Sequence, residues 1–369
     1  MGNFRLCPPQ PLEQYAAAVF RALGADQEVA AEVARHLVRS NLSGHDSHGV
    51  IRITQYADQI KSGEIRPAAR PVILREAGAT ALIDAQRGFG HYSTVFALEW
   101  AMARAAESGV AAAAVRHSTH IGRLGEYTER AAAHGLIAIV TVGACGPGVG
   151  GMVLFGGRKK FLGANPWSIG IPTGGALPMM YDGSTSAVAE GKVRVARAKK
   201  VPLPSDCIVG PDLQPATDPE AFYAGGALAP LGGRVAGHKG SGLALASALL
   251  GSLGTIDDPD PTLIGASVRE TSADPRGRAA GVFLAAVDPA FFGDAAHYRA
   301  MVEETLAAAK RVPAAEGVAE VLVPGEPEIR SREQRSRDGI PIPEATWQDL
   351  AGVAQRFGLE MPEAKIAQL

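Results

Sequence analysis

Apolar positions recur at helical spacing through residues 1–70 and in alternating strand and helix patterns after that. Pro11 opens a helix that runs through Ala22 and closes at Gly24, and Asp26 caps a second, in which Val29, Val33 and Leu37 repeat every fourth residue. A third amphipathic run follows: with Asp46 or Ser47 as N-cap, Val50, Ile53, Ala57 and Ile60 share one apolar face. From Pro71 onward the pattern predicts strands at Pro71–Leu74 and Thr80–Ile83, a helix from Ser93 to Ser108 closed by Gly109, and a strand at Val110–Val115. A helix over Arg123–His134 and a buried strand over Leu136–Val142 come next. Helices from about Thr185 and after Gly240, a strand at Val282–Val287, and helices near Asp294–Lys310 and Glu344–Phe357 complete a mixed α/β chain. This divides the chain into a helical N-terminal region (1–70), a mixed α/β core (71–290) and C-terminal helices that pack back on the rest (291–369).

On the register of the third helix, His48, Arg52 and Tyr56 fall at i, i+4 and i+8, a stripe carrying an imidazole, a guanidinium and a phenol. That stripe suits a small anionic substrate. Arg52 offers a planar fork to a carboxylate, His48 can trade a proton near neutral pH, and Ser47 can orient either. The plain alternative is a capped helix start with a solvated face.

A second cluster, Arg116-His-Ser-Thr-His-Ile-Gly-Arg-Leu-Gly-Glu-Tyr127, sits where a buried strand hands over to a helix. His120 is its candidate general acid or base, Gly122 allows close approach of a ligand, and Arg123 can meet a phosphate; a histidine that only caps the strand end is the competing reading. Gly146-Pro-Gly-Val-Gly-Gly151 matches G-x-G-x-x-G, but no helix onset follows and a proline occupies the turn, so it reads as a loop and not a dinucleotide cradle. Three other stretches suit a cofactor better: Tyr181-Asp-Gly-Ser-Thr-Ser186 opening a helix, Gly237-His-Lys-Gly-Ser-Gly242 with Lys239 at another helix start, and the turn Val323-Pro-Gly-Glu326. Taken singly, each is also an ordinary cap, a glycine-rich helix start or a type II turn.

Composition narrows the class. With 369 residues, 46% hydrophobic and 20% charged, the chain can bury a substantial core. A net charge of -2 gives no basic excess for nucleic acid or an acidic membrane surface. Cys7, Cys145 and Cys207 are scattered and odd in number, which points to neither a disulfide framework nor a CxxC metal site, and a reducing cytoplasm is the expectation. No apolar run is long enough for a bilayer span.

The ordered motifs Asp46-Ser-His-Gly49, His120-Ile-Gly-Arg123, Gly163-Ala-Asn-Pro166, Thr185-Ser186 with Gly191-Lys192, Thr217-Asp-Pro219, His238-Lys-Gly240, Val323-Pro-Gly-Glu326 and Gly339-Ile-Pro341 resemble the malate/L-lactate dehydrogenase type 2 family. Its members include ureidoglycolate dehydrogenase, sulfolactate dehydrogenase, piperideine-2-carboxylate reductase and a hydroxycarboxylate dehydrogenase. Asn41-Leu-Ser-Gly-His-Asp-Ser-His48 with Arg332-Glu-Gln-Arg335 looks closest to the hydroxycarboxylate dehydrogenase branch. The resemblance implies a mixed-sheet, non-Rossmann NAD(P)-binding fold of the sulfolactate dehydrogenase kind, with a homodimer interface near the active site. It further implies hydride transfer between nicotinamide (NAD or NADP) and a small 2-hydroxy or 2-keto acid. His120 would then be the proton donor or acceptor, Ser47 and His48 would line the nicotinamide, and Arg52 with Tyr56 would hold the substrate. His48, Gly122, Arg123, Leu124, Asp182, Gly183, Ser184, Thr185, Lys239, Val323, Pro324, Gly325 and Glu326 would hold the dinucleotide; no metal is called for. Reduction of a cyclic imino acid is the nearest alternative. Two others are zinc hydrolysis through the i, i+3 pairs His45/His48 and His117/His120, and a silent ligand-binding relative. The loop Cys145–Gly151 looks longer than is usual in the family, and Gly183-Ser184 and Ala164 also depart from its pattern.

Overall fold

The computed structural model describes residues 3–146, 149–175, 177–212, 214–257 and 280–368. Asp26 starts the helix Gln27–Leu42 as expected, its carboxylate accepting from the Val29 N–H at 2.9 Å. The apolar faces of this helix and of Pro9–Ala22 meet through Leu12, Val19, Phe20, Val29, Val33 and Leu37. They also receive Trp347 and Leu350 from the C-terminal helix Glu344–Phe357. Each such fully buried side chain contributes about 1.5–3 kcal/mol. Over this cluster lies an antiparallel sheet in which Asn3–Cys7 is flanked by Ile340–Pro343 and Lys365–Gln368. Pattern reading overlooked all three strands: each is short, and their partners come from opposite ends of the chain.

The main sheet has seven strands in the order Val72–Ala77, Thr80–Asp84, Val110–Ser118, Ala280–Val287, Ile137–Gly143, Trp167–Ile171, Met179–Gly183. Among the described residues of this sheet, only Thr80–Asp84 and Val110–Ser118 pair in parallel. Strand, helix and strand over Val110–Ser118, Gly125–Ala133 and Ile137–Gly143 would ordinarily place the two strands side by side, but Ala280–Val287 inserts antiparallel to both. The result is a mixed sheet and not a doubly wound parallel one. Helix Gly233–Gly251 lies so close to it that a side chain at Gly251 would strike the backbone of Gly281. A smaller sheet joins Pro215–Ala216, Ile208–Val209, Ala227–Leu228, Met152–Val153 and Lys160–Leu162.

Of the boundaries that differ from expectation, four bear on the site. The helix placed at Thr185 begins at Glu190, because Ser184 and Ser186 turn the backbone through their own hydrogen bonds. The helix placed after Gly240 begins at Gly233, so Lys239 lies inside it and not at its start. The helix placed at Arg123 begins at Gly125. The run from Asp46 is broken, as described below. A strand, Met152–Val153, and not a helix follows Gly146–Gly151, whose Pro147 and Gly148 lie outside the described residues. Among the described residues, no helix is long and apolar enough to cross a membrane.

Candidate active site

The first motif is two pieces. Asp46–His48 forms a 3-10 turn, and the α-helix is Arg52–Lys61. Gly49 separates them with extended backbone, and a side chain there would overlap Asn41. Asn41 occupies that space because its amide oxygen accepts from the Val50 N–H at 2.8 Å while its amide nitrogen donates to Asp46 at 2.6 Å. Asp46 caps nothing; it takes a two-point bond from Arg335, at 2.6 and 3.0 Å. His48, Arg52 and Tyr56 therefore do not form the continuous stripe expected of one helix. They converge because the turn folds back over the helix start, where Arg52 Nε donates to the Ser47 carbonyl at 2.6 Å.

The convergence is on His120. Its ring stacks on His48 at 5.7 Å with an interplanar angle of 13°, and its Nδ1 lies 2.6 Å from the Tyr56 hydroxyl. Behind Tyr56 stand two wholly buried imidazoles: His91, with Nε2 3.4 Å from the same hydroxyl, and His36, 4.7 Å from His91 ring to ring. His36 Nε2 accepts the Arg123 backbone N–H at 3.0 Å. Gly122 makes this possible: at φ +71 it needs no side chain, and a Cβ there would come within 2.8 Å of His91 and nearer still to His36. Burial disfavours the imidazolium throughout, reinforced by the cluster's own positive groups. His48 and His91 are pushed down to about 3, and His36 and His120 fall well below the ordinary range. All four are neutral at pH 7.

Arg52 supplies the positive field felt by His48, His91 and His120. It binds the Ser47 carbonyl and Gln55, and among the described residues no carboxylate pairs with it. Ser47 sits against His48 Nδ1 at 3.1 Å and against Gly191, where a Cβ would lie 3.3 Å from its own.

The residues expected around a dinucleotide fall into two groups. Gly122, Arg123, Leu124, Asp182 and Val323–Glu326 are joined. Asp182 accepts from the Gly125 N–H at 2.7 Å and faces Arg123 Nε at 3.8 Å, and the Met180 N–H donates to the Pro324 carbonyl at 3.2 Å. Val323-Pro-Gly-Glu326 is a type II turn with Gly325 at φ +94, closed by the Glu326 N–H on the Val323 carbonyl. Two of these side chains are already engaged. Arg123, 2% exposed, pairs with Glu129 at 3.0 Å, and Glu326 pairs with Lys310 and Arg330 at 2.5 Å each. The second group, Gly183, Ser184 and Thr185, leads toward the helix of Lys239: the Thr185 N–H binds the Ala164 carbonyl and the Leu231 N–H binds the Thr185 carbonyl. Lys239 is exposed, and no carboxylate pairs with it among the described residues.

The i, i+3 histidine pairs do not assemble as a zinc set. His45 bonds Glu328 and His117 bonds Asp84, and among the described residues no group of three metal-ligating side chains forms. Sequence reading missed His36 and His91, and it named Arg332 and Arg335 only as family markers, without their ion pairs to Glu129 and Asp46. A usable signal was Gly88-Phe-Gly90 ahead of His91: any side chain at Gly90 would strike the carbonyls of Thr119 and His120, so this glycine fixes a close approach to the segment that carries His120.

Relatives share this architecture over nearly their whole length. Hydroxycarboxylate dehydrogenase B of Escherichia coli (strain K12) is 33% identical over 356 residues, 96% of this chain and 94% of that protein. Delta(1)-pyrroline-2-carboxylate reductase of Ancylobacter novellus is 31% identical over 342 residues, 91% and 93% of the two chains. The solved structure of sulfolactate dehydrogenase from Methanocaldococcus jannaschii superposes with a TM-score of 0.85 at 32% identity, covering 96% of this chain and 98% of that one. With the malate/L-lactate dehydrogenase family model matching residues 7–351 and the mixed sheet in place, the chain belongs to the malate/L-lactate dehydrogenase family and is an oxidoreductase of that kind.

Proposed function

We propose that the protein interconverts a small 2-hydroxy acid and its 2-keto acid with a nicotinamide dinucleotide, NAD or NADP, as hydride carrier. One observation carries this reading. Arg52, a cation with no carboxylate partner among the described residues, shares a site with the half-buried ring of His120, whose far nitrogen is held by Tyr56. A substrate carboxylate paired with Arg52 would set the adjacent carbinol carbon beside His120 Nε2.

His120 then takes the hydroxyl proton at Nε2 in the oxidative direction and returns it to the keto oxygen in the reductive one. In the free protein the Arg52 charge helps keep this imidazole neutral and ready as a base. A bound carboxylate offsets that charge and raises the ring's proton affinity when it is needed. His48 stacks on His120 and, with Ser47, walls the site against water. Gly122, Leu124, Asp182–Thr185, Lys239 and the backbone of Val323–Gly325 would hold the dinucleotide, which supplies the redox chemistry when bound. The fit rests on the left-handed Gly325 turn docked on Met180 and on the exposed Lys239, which has no carboxylate partner among the described residues. Arg123 and Glu326 shape this surface from beneath through Glu129, Lys310 and Arg330.

The pyrroline-2-carboxylate reductase relative favours a second reading, in which the same Arg52 and His120 serve a cyclic imino acid. Nicotinamide absorbance followed with NADH and NADPH against 2-keto acids and cyclic imino acids separates the two. His120→Ala is expected to lower kcat by about 10²–10⁴-fold on the true substrate. Wild-type turnover in that variant would overturn the assignment.

A further inference from the structure

Among the described residues, no carboxylate stands behind His120. Acid–base histidines commonly have their second nitrogen held by an Asp or Glu that accepts Nδ1–H; here the group at that nitrogen is the neutral phenol of Tyr56, 1% exposed. A phenol can hold Nδ1 in two ways. If its own O–H donates to Nδ1, the ring proton sits on Nε2, and His120 cannot accept a proton from substrate. If it accepts from Nδ1–H, Nε2 is free to act as a base, but the phenol hydrogen must then point elsewhere. Among the described residues, only one other acceptor is bonded to that oxygen: His91 Nε2, at 3.4 Å.

We propose that His91 is a positioning residue that selects the working tautomer of His120 by receiving the Tyr56 hydroxyl hydrogen whenever His120 Nδ1 carries a proton. The inference rests on His120 being the acid–base group. The surroundings fit an acceptor of this kind. His91 is 0% exposed, and its Nδ1 has no partner among the described residues, so a proton placed there leaves Nε2 as the acceptor. The charged or titratable groups near it are Tyr56, His36, His48, His120 and Arg52, and no carboxylate bonds any of the imidazoles His36, His48, His91 or His120 among the described residues. Gly122 keeps His91 and His36 in place by leaving them room. No bond between heavy atoms changes: when Nε2 of His120 gains the substrate proton, Nδ1–H still points to the phenol oxygen and the phenol O–H to His91.

The test uses His91→Phe, which removes the acceptor, and His91→Gln, whose side-chain oxygen can replace it. Two readouts are taken on the whole chain: steady-state turnover, and ¹⁵N NMR of the His120 ring without substrate. His91→Phe is expected to move His120 to the Nε2–H tautomer and to lower kcat about 10²-fold with KM nearly unchanged. It should also carry the acid limb of the kcat profile to lower pH, and His91→Gln is expected to restore most of each. An unchanged tautomer ratio in His91→Phe, or equal activity in the Phe and Gln variants, would overturn the proposal. Because the NMR reading needs no turnover, it decides on His91 even if His120→Ala shows that another group does the acid–base work. A Phe variant that does not fold leaves the Gln variant to decide: wild-type tautomer and activity support the inference, and loss of both in a folded protein refutes it.

Discussion

Two buried polar regions lie back to back at Arg123 and are built on opposite principles. On one side His36, His91, Tyr56, His120 and His48 form a cluster of neutral groups with no carboxylate bonded to the imidazoles among the described residues. On the other, Arg39, Glu126, Glu129, Arg123, Arg332 and Asp182 form a network of paired charges. Arg39 meets Glu126 at 2.6 Å, and Glu129 takes Arg332 at 2.9 Å and Arg123 at 3.0 Å. One residue serves both: the Arg123 backbone N–H fixes His36, and its guanidinium enters the charge network. Burial resists charge in both regions, but only the second offsets it. Arg123 and Arg332 hold Glu129 below the usual carboxylate range despite burial, whereas burial and neighbouring positive groups together keep the histidines neutral. The neutral side can change protonation with little reorganisation, which suits catalysis. The charged side cannot lose one partner without stranding another, which suits a rigid floor.

Breaking the charged side should therefore have the largest effect on folding. Glu129→Gln leaves Arg123 and Arg332 without their shared carboxylate and is expected to destabilise the fold by about 3–5 kcal/mol, read from the denaturant midpoint. The contrast fails if the loss is no greater than that of Glu220→Gln, whose exposed pair with Arg197 is expected to contribute about 0–1 kcal/mol. Next comes Arg52→Gln. Removing the charge-assisted hold on a carboxylate should raise KM about 10–100-fold, with the melting temperature close to wild type; an unchanged KM would place the substrate elsewhere.

Acid should reveal the neutral side. His48 and His91 lie at about 3 in the folded chain against 6.5 when exposed, so between those values the unfolded chain binds more protons than the folded one. Stability from these groups is full above 6.5 and is lost as pH falls toward 3. Glu126 and Asp182, raised by burial from 4.5 and 3.8, act in the opposite sense, and the stability they add below those values is lost as pH rises above them. Melting temperatures of wild type and His91→Phe at pH 7 and pH 5 check this: the wild type should fall more. Smallest is Arg335→Ala. It frees one side of the Asp46 turn, and a decrease of about 1 kcal/mol in stability is expected together with a drop in kcat, because His48 loses its anchored backbone. A loss of stability with unchanged kcat would show that Asp46 is only a tether.

The motifs around His48 and His120 were legible because their chemistry is local: residue types and glycines at short spacing announce a helix start and a strand end. Their arrangement was not. Reading His48, Arg52 and Tyr56 as one stripe assumed unbroken helical register, and Gly49 breaks it because Asn41 fills the space its side chain would need. Lys239 was placed at a helix start because glycines around it suggested one, yet the helix already begins at Gly233, with Gly237 packed on Phe155 and Pro230, and runs on to Gly251, where it packs against Gly143 and Gly281. His91 went unnoticed because a histidine in an apolar helix carries no local mark of function; its meaning comes from Tyr56, reached only in three dimensions.

By itself the sequence determined the helical N-terminal pair, the alternating core, the strand-to-helix junction bearing His120 and the family to which the chain belongs, because periodicity, caps and short motifs are written in neighbouring residues. Tertiary structure alone decided three things. It inserted Ala280–Val287 between two strands that local order would have paired, joined the two ends of the chain in one small sheet, and set a phenol and a buried imidazole behind His120 in place of a carboxylate. Strand order and side-chain partnership depend on which distant surfaces pack together, and no spacing along the chain encodes that choice.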